Sequence, residues 1–105
     1  MLKTVVIGAQ NIDLFAHAQG QLNMRDSNRA RMKLSYGGVA ANIASNLALL
    51  GNPVSFVTVF GDDAFGNLAK QNLEKLHVSM DESLTVQQAS NSMYMAVMEI
   101  GRAHV

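Results

Sequence analysis

Gly37–Gly51, which reads GGVAANIASNLALLG, is the stretch that decides the fold of this 105-residue chain. Two glycines open it, one glycine closes it, and the residues between them are apolar on nearly every side of a helix. Such a helix is typical of a buried position in a protein core. Gly51, followed by Pro53, is a helix stop. Asn42 lies in the first turn, where its amide needs a partner, and a ligand would serve.

Apolar segments on both sides of this helix predict strands. Lys3–Ala9 is β-branched and apolar without alternation, which indicates a central strand buried on both faces of a parallel sheet. Val54–Phe60 is a second strand, and Ala64–Leu76 has the apolar spacing of a second helix. The strand, helix, strand order predicts a βαβ unit, and hence an α/β fold with a mostly parallel sheet and flanking helices.

The composition excludes several function classes. Eight basic and eight acidic residues balance, and without a basic face we expect no nucleic-acid partner. The chain has no cysteine, which excludes disulfides and zinc–cysteine sites. We expect no membrane partner and a cytoplasmic location, because no apolar run could cross a bilayer and no signal peptide begins the chain. A local excess of cations indicates a solvated loop or exposed strand at Arg25, Arg29, Arg31 and Lys33.

Asn11 and Asp13 follow the first predicted strand. If the chain stays extended, residues two apart point the same way, so both side chains would face one crevice at the carboxyl end of the sheet. A carboxylate accepts hydrogen bonds from two vicinal hydroxyls and an amide both donates and accepts, which suits a sugar diol. The alternative is a capping or turn pair without a ligand.

A second acidic pair, Asp62 and Asp63, precedes the second predicted helix. Asp62 is placed to be its N-cap, and Asp63 would favour the positive end of the helix. The alternative is a metal-binding pair, which we do not favour. His17, His77 and His104 are too dispersed along the sequence to predict a metal site. Gly66 in the first helical turn indicates close backbone packing.

Two segments outside the βαβ pattern predict a small flap. Leu14–Lys33 is polar and weakly patterned, and we interpret it as short antiparallel strands that cover the crevice. Met93–Glu99 alternates and predicts a further sheet or flap strand.

Together these residues resemble the ribokinase-like (PfkB-type) sugar kinases. Gly37-Gly38-x-Ala40-x-Asn42-x-Ala44, then six residues to Gly51 and nine to Gly61, fits the first signature of that family at every fixed position. The Asn-x-Asp at 11–13 and the Gly-Asp-Asp-x-Phe-Gly at 61–66 are similar to further family motifs. The Asp-Ser-Asn at 26–28 and the helix sequence most resemble the pseudouridine kinase branch. Val39-Ala40 departs from the Lys-Gly that is usual in ribokinase itself.

The resemblance implies a partial ribokinase-like fold over residues 1–99, with a small β lid formed by residues 14–36 and 85–99. It also implies site roles. The aspartate at Asp13 would hold sugar hydroxyls, with help from the asparagine at Asn11. The backbone at Gly37 and Gly38, together with the side chain of Asn42, would complete the grip on the sugar.

The same resemblance implies which parts of the activity lie elsewhere. The family uses ATP and Mg²⁺ to phosphorylate a ribosyl 5′-hydroxyl, and its catalytic aspartate belongs to a Gly-Ala-Gly-Asp motif that this sequence lacks. We therefore expect an inactive N-terminal fragment with no catalytic, cofactor-binding or metal-binding residue of its own. Its expected partner is a small sugar or nucleoside, and a homodimer through the lid is a further expectation. The alternatives are a non-catalytic sugar-binding module, or inactive kinase remnant, and an unrelated small α/β domain.

The last six residues, 100–105, break the strand pattern abruptly. Ile-Gly-Arg-Ala-His-Val is also the translation of ATC GGA AGA GCA CAC GTC, the start of a common sequencing-library adapter. We therefore expect a non-native tail that was read in frame after Glu99.

Overall fold

A computed structural model describes residues 3–99 and the backbone of residues 102–104. The predicted non-native tail comprises residues 100–105, and residues 100, 101 and 105 lie outside the described residues. The origin of this tail stays a prediction. In chain order the elements are β1 Thr4–Ile7, β2 Asn11–Ala18, β3 Ala30–Gly37, α1 Val39–Leu49, β4 Val54–Val57, β5 Val59–Gly61, α2 Ala64–Lys75, β6 Leu84–Val86, β7 Met93–Glu99 and β8 Arg102–His104.

Each parallel pair joins a strand before a helix to a strand after it, as the predicted α/β class requires. β1 pairs with β4, and β5 pairs with β6, each pair in parallel. On its other side β4 meets Ser79, whose carbonyl accepts from the amide of Phe56 at 2.8 Å and whose amide donates to Val54 at 2.9 Å. β4 is therefore an inner strand, and the side chain of Phe56 is fully buried.

Thr58 divides the single strand that was predicted over Val54–Phe60. Its amide donates to the hydroxyl of Ser83 at 3.0 Å, and its carbonyl accepts from the amide of Leu84 at 3.0 Å. These bonds direct the chain from one parallel pair to the other. The prediction of one continuous strand is wrong because the partner of this segment changes at Thr58.

The described residues form two compact units. The first unit comprises Met1–Ile12 and Tyr36–Ser92, and contains both parallel strand pairs and both helices. The second comprises Asp13–Ser35 and Met93–Val105. A four-stranded sheet has the order β3, β2, β7, β8, and β7 and β8 are antiparallel. The second unit overlaps the predicted lid ranges, and its covering role stays a prediction.

The burial that was predicted for β1 and α1 is wrong for this chain. Ile7 of β1 is 76% exposed, and Leu50 at the end of α1 is 80% exposed. α1 packs on β1 and β4, and its buried residues are Ala41 and Ala44. The apolar sequence predicts packing on all sides of α1. Among the described residues, however, only the side with Ala41 and Ala44 is packed.

The C-terminal end of α1 confirms the predicted glycine stop. Gly51 has φ of +89°, a conformation that glycine adopts without a steric penalty. Its amide donates to Ala48 at 2.9 Å, and the amide of Asn52 donates to Leu47 at 3.1 Å. This pair of bonds defines a Schellman motif. Neither described helix is long and apolar enough to cross a membrane.

Candidate functional site

The first turn of α1 lies directly against the connection from β1 to β2. Gly38 caps the helix with φ of +96°, and a Cβ placed there would lie 2.6 Å from the carbonyl oxygen of Ala9. A Cβ on Gly8 would lie 2.5 Å from the side chain of Ala40. The amide of Ala41 donates to Ala9 at 3.4 Å. Glycine at both positions therefore permits a close contact between the helix start and the carboxyl end of β1.

Of the predicted residues on this helix, Gly37 is the buried last residue of β3 and Gly38 is the N-cap. The cap has no side-chain hydrogen bond, as expected of a glycine. The backbone amide of Asn42 donates to the carbonyl of Gly38 at 2.9 Å, and the side chain of Asn42 is exposed. The structure therefore places these three residues together at one end of α1.

Asn11 and Asp13 lie on β2 with Ile12 between them. Ile12 is fully buried, whereas Asn11 and Asp13 are half-buried. Because side chains alternate along a strand, Asn11 and Asp13 share the face opposite to Ile12. The extended conformation required by the sequence analysis is therefore present. The boundary of the two units falls between Ile12 and Asp13, so Asn11 belongs to the first unit and Asp13 to the second.

An open cleft of about 470 Å³ lies at the carboxyl end of β1 in the first unit. This is where α/β proteins bind ligands, and the volume suits a small molecule. None of the five predicted site residues is among the residues that line it, which include Gly8, Ala9, Gln10, Val57, Thr58 and Ser92.

Gln10, immediately before the predicted pair, forms a buried hydrogen-bond network that the sequence pattern did not predict. Its amide nitrogen donates to the carbonyl of Val59 at 2.9 Å and to Oδ1 of Asn91 at 2.8 Å. Nδ2 of Asn91 donates back to Oε1 of Gln10 at 3.2 Å. Asn91 also accepts from the amide of Gly61 at 3.1 Å. The network fixes the residue before Asn11 relative to the end of β5.

The N-cap of α2 is Asp63, and the prediction of Asp62 is wrong by one residue. The Asp63 carboxylate accepts from the amide of Gly66 at 2.8 Å and from the amide of Asn91 at 3.1 Å. These two hydrogen bonds, Gly66 first, hold the pKa of Asp63 below its ordinary value. Asp63 therefore caps the helix with one carboxylate oxygen, while its other oxygen contacts the segment before β7.

Asp62 and Gly61 contact the same segment. The Asp62 carboxylate accepts from the amides of Gln88 at 2.6 Å and Ala89 at 3.2 Å. A Cβ on Gly61 would lie 2.2 Å from the amide nitrogen of Asn91. The Gly-Asp-Asp sequence thus anchors residues 88–91. In the described part of the chain no group of three or more histidine or acidic side chains could hold a metal ion.

The second unit contains an aromatic pair on neighbouring strands. Phe15 on β2 and Tyr94 on β7 have ring centroids 6.3 Å apart with an interplanar angle of 61°, an edge-to-face contact. Tyr94 remains 43% exposed. In the same unit the carboxylate of Glu99 accepts from the amide of Leu22 at 2.8 Å.

Solved structures of carbohydrate kinases have the same fold. A carbohydrate kinase from Agrobacterium tumefaciens superposes with a TM-score of 0.90 at 25% identity, over 100% of this chain and 34% of that protein. Arabidopsis thaliana ribokinase complexed with ribose and ATP superposes with a TM-score of 0.87 at 24% identity, over 96% of this chain and 34% of the ribokinase. The fold is therefore that of the ribokinase-like kinases.

Sequence comparison defines the family. The model of the pfkB family of carbohydrate kinases matches residues 1–102, and the chain belongs to that family. Escherichia coli pseudouridine kinase is 36% identical over 95 residues, which are 90% of this chain and 30% of the relative. The chain thus spans about a third of the length of the relatives it matches. The resemblance predicted from the glycine signature is confirmed.

Proposed function

We propose that this chain is the sugar-binding part of a kinase that transfers the γ-phosphoryl group of ATP to the 5′-hydroxyl of a riboside such as pseudouridine. The observation that carries the proposal is the shared face of Asn11 and Asp13 on β2, directly after the carboxyl end of β1. An aspartate and an asparagine on one face can bind two neighbouring hydroxyl groups, because the carboxylate accepts both protons and the amide supplies a donor and an acceptor.

The start of α1 supplies the other part of the proposed sugar site. Gly38 approaches Ala9 so closely that no side chain fits between them. Asn42 extends from the same turn, and its side chain is exposed to a ligand. In the proposal the backbone at Gly37 and Gly38 and the amide of Asn42 bind the sugar, while Asp13 and Asn11 fix its hydroxyl groups.

In this proposal the phosphoryl-transfer chemistry comes from outside the residues of this chain. The sequence has no Gly-Ala-Gly-Asp motif, to which the family resemblance assigns the catalytic base. We therefore assign ATP, Mg²⁺ and the catalytic base to sequence outside these 105 residues, and expect the isolated chain to be inactive. Similarity to a pseudouridine kinase favours a nucleoside over free ribose as the substrate.

The first test is the reading frame beyond Glu99. A continuing frame that later encodes Gly-Ala-Gly-Asp supports the proposal and the expected non-native tail. A genomic stop codon directly after the same six residues contradicts the tail, and favours a non-catalytic sugar-binding module. ATP turnover by the purified 105-residue chain, free of contaminating kinase, would overturn the assignment of catalysis to the missing sequence.

The second test is substitution in the complete gene product. We expect Asp13→Ala to lower kcat/KM for pseudouridine by roughly 10- to 100-fold, the usual loss of hydrogen bonds to a charged group. Asp81→Ala is the matched control, because Asp81 is an exposed aspartate outside the proposed sugar site and outside both predicted lid ranges. Equal effects of the two substitutions would refute a sugar-binding role for Asp13.

A further inference from the structure

We propose that the groove between α2 and the chain segment 78–85 is a second ligand site, which binds a small zwitterion of the α-amino acid type. The groove is a cavity of about 470 Å³ and lies wholly in the first unit. None of the five residues of the proposed sugar site is among the residues that line it. The volume suits a small molecule, and the inference does not depend on the kinase assignment.

A lysine that is held in place supplies the positive charge of the groove. The ammonium group of Lys70 on α2 donates to the hydroxyl of Thr85 on β6, and it lies 5.4 Å from the centre of the Phe60 ring. The Phe60 side chain is 1% exposed, so the cation lies against a fixed aromatic surface. These two contacts order a flexible side chain in advance, and less conformational entropy is then lost when it binds a carboxylate.

The same face of α2 supplies an acceptor for an ammonium group. Glu74 follows Lys70 by four residues on the helix, so the two side chains are neighbours, and both line the groove. Lysine and glutamate at this spacing commonly pair with each other, but the ammonium group of Lys70 is bonded to Thr85. The groove therefore offers a donor for a carboxylate and an acceptor for an ammonium group.

Ser79 adds a polar atom that lacks a partner. Ser79 lines the groove, and its hydroxyl oxygen is buried without a hydrogen-bond partner in the described part of the chain. Ser83, the other serine of the lining, already donates to the carbonyl of Phe56 at 2.7 Å. A buried polar atom without a partner disfavours the empty state, and a polar ligand group that reaches Ser79 removes this cost.

The combination of charges selects a zwitterion over a simple ion. Carboxylates outnumber ammonium groups in the lining, so an anion alone would be repelled, and a cation alone would be repelled by Lys70. An α-amino acid has both charges on one carbon atom. Its side chain would lie against the apolar part of the lining, at Val78 and Met80, and we therefore expect a neutral, apolar amino acid to bind.

Three probes of the same shape test the charge requirement with the complete gene product. Leucine has both charges, leucinamide has only the positive charge, and isocaproate has only the negative charge. Calorimetric titration measures the dissociation constant of each probe. We expect leucine to bind roughly 10-fold or more tightly than either analogue, because each analogue loses one hydrogen-bonded charge pair. Leucine should also raise the unfolding temperature, since a ligand of the folded state stabilises it by mass action.

Substitutions on α2 locate the binding site. Lys70→Met removes the charge and keeps most of the apolar stem, and it should weaken leucine binding roughly 10-fold. Glu74→Gln should weaken it about threefold, because exposed charge pairs contribute less. Lys75→Met is the matched control, since Lys75 is an exposed lysine of the same helix that does not line the groove.

The outcomes decide the proposal without reference to the kinase activity. Absence of saturable leucine binding at millimolar concentration overturns it, as do equal affinities for leucine and either analogue. Equal losses from Lys70→Met and Lys75→Met would show that the ligand binds elsewhere, and would overturn the assignment to this groove. None of these results changes the proposed sugar site, which is tested by phosphorylation alone.

Discussion

The side-chain amides of Gln10 and Asn91 bond to each other in both directions, at 2.8 Å and 3.2 Å, across 81 positions of sequence. Both residues are only 3% exposed. Gln10 directly precedes Asn11, and Asn91 directly precedes Ser92, whose carbonyl accepts from the amide of Ile12 at 3.0 Å. The pair therefore stabilises the place where β2 and β7 leave the first unit.

We predict that Gln10→Ala lowers the free energy of unfolding by about 1–3 kcal/mol, because it removes the two hydrogen bonds between the buried side-chain amides of Gln10 and Asn91 and the bond to the carbonyl of Val59. Urea denaturation of the 105-residue chain measures this change. The double variant Gln10→Ala/Asn91→Ala should lose clearly less than the sum of the single variants, since the two residues share one interaction. Gln71→Ala, at an exposed position of α2, is the control, and strictly additive losses would contradict the coupling.

Gly38 and Gly51 offer a matched pair of glycine substitutions. Both have positive φ, +96° and +89°. A Cβ at Gly51 would meet nothing within 4 Å, whereas one at Gly38 would lie 2.6 Å from the carbonyl oxygen of Ala9. We expect Gly51→Ala to cost about 1–2 kcal/mol from backbone strain, and Gly38→Ala to cost about 1–3 kcal/mol more from the clash.

Thermal or urea unfolding of both variants measures the difference. In the complete gene product Gly38→Ala should also lower kcat/KM, because the displaced helix start carries Asn42, whereas Gly51→Ala should leave it unchanged. Equal destabilisation by the two substitutions would show that the contact with Ala9 is unimportant.

The carboxylate of Asp63 predicts a pH dependence of stability. Hydrogen bonds from the amides of Gly66 and Asn91 lower its pKa in the folded chain. The stabilisation is therefore complete above the unfolded pKa of about 4, and is lost as the pH falls through the lower folded pKa. We expect the destabilisation caused by Asp63→Asn, measured by denaturation at a series of pH values, to be largest near neutral pH and to shrink below pH about 4. A difference that stays constant down to pH about 2 would contradict this role of the charge.

The sequence predicted those features that depend on nearby residues. Gly51 ends α1 through bonds to the preceding helical turn, and the glycine signature identified the family. Contacts between distant segments were not predictable. Asp62 and Asp63 both suit a helix start, and the choice between them depends on residues 88–91, which only the folded chain brings near. No neighbouring residue indicated the buried role of Gln10, because its partner Asn91 is 81 positions away in the sequence.

Exposed apolar side chains on α1 and on β1 predict self-association of the isolated chain. Val39, Leu49 and Leu50 on α1 and Val5 and Ile7 on β1 are mostly solvent-exposed, and exposed apolar patches favour association. We expect the 105-residue chain to form concentration-dependent oligomers in size-exclusion chromatography with light scattering. Leu50→Lys should reduce them by placing a charge among these side chains, whereas Gln71→Lys adds the same charge on α2 and should not.

A chain that stays monomeric at high concentration would contradict the prediction. Equal reduction by both lysine substitutions would indicate that net charge, and not the exposed apolar side chains, controls association. Because the charge added is the same in both variants, only their positions differ, and the comparison tests the apolar side chains of α1 directly.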